Sequence, residues 1–96
     1  MELSALPDSM ADIVCRPEED GAFLLNPGTG SISYINRTAL EVYRLIDGRK
    51  DVGSILSVFG RRYPEIETER LRADIVAILE RFVENQFITT QSEQSR

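Results

Sequence analysis

Residues 21–48, GAFLLNPGTGSISYINRTALEVYRLIDG, constrain the fold more tightly than any other part of the chain. Ala22-Phe23-Leu24-Leu25 is a short apolar run suited to a buried strand. Asn26-Pro27-Gly28-Thr29-Gly30 is turn chemistry, because Pro presets φ and the glycines accept left-handed geometry. Ser31-Ile32-Ser33-Tyr34-Ile35 then alternates with period two, Ile32 and Tyr34 on one face and Ser31, Ser33 and Ile35 on the other. Asn36 follows at once as an N-cap for a helix carrying Ala39, Val42, Tyr43 and Ile46 at helical spacing, and Gly48 supplies a stop. A hairpin that feeds directly into a helix leaves a sheet edge with little around it, and such an edge is a place for another chain to pair.

The flanking segments support this arrangement. Ile13-Val14-Cys15-Arg16 reads as a further short strand, and Pro17-Glu18-Glu19-Asp20-Gly21 as the turn that joins it to the next. Together these give a three-stranded antiparallel β-meander with Ser31–Ile35 as an edge. Asp51 caps a second helix carrying Val52, Ile55, Leu56 and Phe59, and Pro64 ends it. The longest helical pattern runs through residues 65–85 and starts near Thr68. Its Leu71, Ile75, Ile78 and Phe82 fall within about 60° of one another, and Leu79, Val83 and Val76 widen the apolar arc to roughly 160°. Two readings fit an arc of that width: a central helix touching two neighbours, or a helix with part of its arc lining a groove. Residues 1–10 read as a loose, flexible lead-in, 11–90 as one domain and 91–96 as a disordered polar tail. The fold class is therefore α+β, a β-meander followed by three helices in winged helix-turn-helix-like order.

Charge and residue usage exclude several functions. Sixteen acidic residues against eleven basic give a net charge of −5, which argues against tight binding to a phosphate backbone and so against nucleic acid as the partner. The chain has no histidine, which removes the usual general base and a common metal ligand. There is no Walker loop, HExxH, GxSxG or paired CxxC. The GxG within residues 26–30 joins two strands and opens no helix, so it cannot cradle phosphate. The acidic runs Glu18-Glu19-Asp20 and Glu65/Glu67/Glu69 lack the ligand spacing of a cation loop and read as a solvated turn and a helix start. Cys15, the single cysteine, has no partner within the chain and reads as an inert thiol of a cytoplasmic protein. No 18-residue apolar run and no signal peptide are visible, so no membrane is expected. The expectation is a protein that is not an enzyme and takes no cofactor and no metal.

Arg16, Gly21-Ala22, Leu25-Asn26-Pro27, Thr29-Gly30, Asn36, Thr38-Ala39, Leu45-Ile46 and Asp47-Gly48 occur in an order and spacing that resemble the PqqD family. Asp74-Ile75 and Phe87-Ile88 extend the resemblance, which covers about residues 13–88, while Asn85-Gln86 stands where the family commonly has glycine. The resemblance implies a RiPP recognition element: a stand-alone chaperone that binds the leader of a ribosomally made precursor peptide and presents it to a modifying enzyme, often a radical-SAM protein. On that reading the leader adds a strand along Ser31, Ile32, Ser33, Tyr34 and Ile35, and its apolar side chains enter a groove beside the third helix at Leu71, Ile75, Ile78, Leu79 and Phe82. Ile32 or Tyr34 is the strand-side wall, and the sequence leaves open which strand face meets the groove. Two rivals remain, a winged-helix DNA-binding protein and a structural homodimer in which the same edge pairs with its own copy.

Overall fold

The computed structural model describes residues 1–91. Eight elements follow one another: β1 (Leu6–Ser9), β2 (Val14–Glu18), β3 (Gly21–Asn26), β4 (Ser31–Asn36), α1 (Arg37–Leu45), α2 (Val52–Arg62), α3 (Thr68–Glu84) and β5 (Ile88–Gln91). Strands β2, β3 and β4 form the expected antiparallel meander, in that spatial order. Alternation gives the meander an inner and an outer face. Ala22, Leu24 and Ile35 turn inward and are buried, whereas Phe23, Ile32 and Tyr34 turn to solvent. Each fully buried aliphatic side chain of this kind stabilises the fold by roughly 1.5–3 kcal/mol.

Gly21 is required where β3 begins. A Cβ there would collide with the backbone carbonyl of Ile35, so only glycine lets β3 and β4 approach at this end of the ladder. Immediately beyond, the Asn36 side chain accepts from the Ala39 N–H at 2.9 Å and starts α1 without an intervening loop. Asp51 caps α2 in the same way, accepting from the Ser54 N–H at 2.8 Å. Such caps contribute about 1 kcal/mol each. α1 packs on β3 and β4, α3 packs against α1 and α2, and the core joins Leu24 and Ile35 to Val42, Ile55, Phe59, Ile75 and Leu79.

The N-terminal segment corrects the expectation of a loose lead-in. Leu6–Ser9 is a strand, paired antiparallel with β5 in a second, two-stranded sheet. The backbone carbonyls of Leu3 and Ala5 accept from the N–H groups of Gly53 and Val52, at 2.9 and 3.0 Å. These are orphan donors of the first turn of α2, so the N-terminal segment completes that helix end. Gln91, expected to begin the tail, closes β5. Residues 92–96, the remainder of the expected disordered tail, lie outside the described residues.

Candidate functional site: a groove beside a free strand edge

Among the described residues β4 pairs with β3 on one side only, so its other side is an open edge. Which backbone groups point outward follows from Pro17. Proline has no N–H to give to a ladder, so Pro17 must sit at a position of β2 that does not bond to β3. Its partner Ala22 then directs its own N–H and C=O to the opposite neighbour, Ile35. Alternation along β4 makes Ile35, Ser33 and Ser31 the residues bonded to β3, and leaves the N–H and C=O of Ile32 and Tyr34 facing outward.

The two edges of the meander differ in chemistry. β2 carries Arg16, Pro17 and Glu18, the charge and the missing donor that blunt an edge against pairing. β4 reads Ser-Ile-Ser-Tyr-Ile-Asn, with neither charge nor proline. Of the two, only β4 is built to accept another strand.

A cavity of about 330 Å³ opens beside that edge, between β4 and α3. Its strand wall is formed by Ser33, Tyr34, Ile35 and Asn36. Ala39 of α1 forms the floor, and two small side chains, Ala39 and Ala77, leave the space that larger residues would fill. On α3 the wall is the stripe Ala77, Ile78, Arg81 and Phe82, continued by Asn85 at its C-cap. Tyr43 packs edge-on against Phe82 at 5.9 Å between ring centroids and fixes that ring at the helix side of the groove. The lining combines apolar surface with one cation, Arg81, and two amides.

The expected site residues divide three ways. Ser33, Tyr34, Ile35, Ile78 and Phe82 line the groove together. Leu71, Ile75 and Leu79 are instead buried in the core among the helices, and a peptide could reach them only by displacing that core. Ser31 lies on the edge strand beyond the cavity, and Ile32, 63% exposed, projects from the outer face of the sheet. The strand face that meets the groove is therefore that of Ser33 and Ile35. On the outer face Tyr34 meets Phe23 edge-on, 5.4 Å between centroids, and Val14, Leu25 and Ile32 are aligned across the three strands.

Sequence reasoning missed Ala39, Ala77, Arg81 and Asn85. It followed the centre of the apolar arc on α3, and the centre of such an arc goes to the core. The groove lies at the arc's border, where small and polar residues begin. The signal that could have found it is the Ala77/Ile78/Arg81/Asn85 spacing of 3–4 residues flanking the arc.

Comparison with known proteins gives three concordant findings. Residues 21–88 match the family model described as Coenzyme PQQ synthesis protein D (PqqD). The chain is 38% identical over 65 residues to a PqqA binding protein of Pseudomonas aeruginosa, and 35% identical over the same length to one of Pseudomonas paraeruginosa. Each match covers 68% of this chain and 66% of the relative, just under two thirds of its length. The solved structure of TbiB1 in complex with the TbiA(beta) leader peptide shares the fold, with a TM-score of 0.73 at 15% identity, over 93% of this chain and 98% of that one.

Proposed function

Because this chain belongs to the PqqD family, we propose that it is a non-catalytic adaptor that binds the leader of a ribosomally synthesised precursor peptide and presents it to a modifying enzyme. The observation that carries the reading is the adjacency of an uncharged, unpaired strand edge and an apolar groove. An extended leader placed along β4 bonds to the outward N–H and C=O groups of Ile32 and Tyr34. Its alternate side chains enter the space bounded by Ile35, Ala39, Ile78 and Phe82. Backbone pairing supplies affinity with little sequence preference, and the groove selects the side chains.

The magnitudes are adequate. Micromolar binding needs about 8 kcal/mol net. Several buried apolar side chains at roughly 1.5–3 kcal/mol each, added to the strand hydrogen bonds, reach that value after ordering costs.

The relatives' printed names support a precursor peptide of the PqqA kind, and the structural neighbour was solved with a leader peptide. The modifying enzyme is read as a radical-SAM protein from family resemblance, and the site of action as the cytoplasm. Among the described residues no helix is long and apolar enough to cross a membrane.

The test is titration of the ¹⁵N-labelled chain with a synthetic leader segment of a PqqA-type precursor peptide. Amide shifts concentrated at residues 31–36 and 77–85 are expected. Shifts confined to the outer face of the sheet or to α2, or none, would remove the proposal. Sedimentation in the same titration separates leader binding from self-pairing, because a second copy on β4 would leave as the leader enters.

A further inference from the structure

Among the described residues, Arg81 is the only charged one in the wall of the groove. Among the described residues it makes no ion pair, whereas its charged neighbours are otherwise engaged or turned away. Asp74, two turns earlier on α3, is met by Arg70 at 3.9 Å. Glu80 is met by the Met1 ammonium at 3.7 Å. Arg37, at the start of α1, does not line the groove and pairs with Asp20 at 3.8 Å. Glu84 is exposed and does not line the groove, and β4 contributes no charge at all. In a chain of net charge −5, the groove therefore presents a single uncompensated positive group beside apolar surface, with the Asn85 amide next to it on the same stripe.

We propose that Arg81 sets the specificity of the groove by pairing with a carboxylate side chain of the bound peptide. Guanidinium matches carboxylate in a two-bond fork, and a peptide lacking that group leaves Arg81 facing a partly dehydrated wall unpaired. Side chains of an added strand that face the groove recur every second residue. The recognised pattern is thus an apolar residue inserted between Ile35 and Ile78, with an Asp or Glu two or four positions away on the same peptide face. This inference rests on the proposed strand addition and narrows it from any extended apolar peptide to an acidic-apolar one.

The experiment is selection of a displayed library of random peptides on the full chain, run in parallel on Arg81→Gln and Arg81→Glu. Both variants change an exposed side chain, and circular dichroism checks that they fold. The wild-type chain should enrich apolar residues with Asp or Glu at a fixed even spacing. Arg81→Gln should lose the acidic position while keeping the apolar one. Arg81→Glu should replace the acidic residue by Lys or Arg, and the selected wild-type peptide should bind it at least about tenfold more weakly, an effect that shrinks with added salt. Peptides that dock on β4 with no acidic position, or with one that Arg81→Glu leaves unchanged, overturn this inference and leave strand addition standing. A library from which no peptide is enriched at β4 overturns both.

Discussion

Asn26 donates from Nδ2 to the backbone carbonyl of Gln86, 2.6 Å away, and so ties the β3–β4 hairpin to the turn that follows α3. These are the two structures that bound the groove. Asn26 is only 4% exposed, and its Oδ1 accepts from the Gly28 N–H at 2.8 Å, so one side chain both shapes the hairpin turn and anchors it. Replacing Asn26 by Ala leaves the Gln86 carbonyl unpaired. The expected cost is about 1–3 kcal/mol of stability, read as a lower urea midpoint, together with weaker leader binding as the two walls separate. An unchanged midpoint would show that the tie is dispensable.

Gln86 itself adopts φ +63°. It is the left-handed residue of a Schellman motif: Phe87 N–H donates to the Phe82 carbonyl at 2.9 Å and Gln86 N–H to the Val83 carbonyl at 3.0 Å, while Phe82 and Phe87 are both buried. A side chain in this conformation costs about 1–2 kcal/mol, partly offset because glycine loosens the unfolded chain. Gln86→Gly should therefore raise stability by roughly 0.5–1 kcal/mol, about 2–6 °C in thermal midpoint. Gln86 thus takes the left-handed position without being glycine, at the cost of local strain.

Two loops make stability depend on pH in opposite directions. The Asp47 carboxylate is held well below the usual range by the Arg49 backbone N–H first, then by the Lys50 ammonium and the Lys50 N–H. Its contribution is complete above the ordinary carboxylate pKa of about 4 and is lost as pH falls through the lower folded value. Tyr63 is raised, chiefly because its phenol donates to the Glu41 carboxylate and then because of desolvation. Its contribution is complete below about pH 10 and is lost as pH rises through the higher folded value. Thermal midpoints measured across pH should show a shallower acid arm in Asp47→Asn and a shallower alkaline arm in Tyr63→Phe, each with a lower plateau at neutrality.

Ala77 leaves the groove open from the α3 side. It is exposed and leucine is a good helix former, so Ala77→Leu should fold with a thermal midpoint close to wild type. The added side chain occupies space that a leader residue needs, and affinity should fall about tenfold or more, equivalent to about 1.4 kcal/mol. Unaltered affinity by calorimetry would place the leader elsewhere.

The meander and the three helices could be read from the sequence because side chains wrote them. Asn36 and Asp51 announced the starts of α1 and α2 as caps, and alternation separated the two faces of β4 without saying which turns inward: the more apolar pair, Ile32 and Tyr34, faces solvent. β1 and the docking of residues 3–5 on α2 left no such mark, because backbone carbonyls make those bonds and any residue supplies one. The strand side of the groove was visible as an uncharged edge, but the helix side was not. Leu71, Ile75 and Leu79 answer to the same periodicity as Ile78 and Phe82, and only the position of α1 and β4 around α3 decides which of them face the core. Arg81 sits at the polar border of the apolar arc, where spacing alone does not tell a groove wall from solvated surface, and its place becomes evident once its neighbours' ion pairs are known.

Hydrogen exchange along β4 tests strand addition most directly. In the free chain the amides of Ile32 and Tyr34 should exchange quickly, while those of Ser33 and Ile35, bonded to β3, should be protected. On adding leader peptide, Ile32 and Tyr34 should slow by an order of magnitude or more, with Ser33 and Ile35 little changed. Leader binding that leaves Ile32 and Tyr34 exchanging at their free rates would contradict strand addition at this edge.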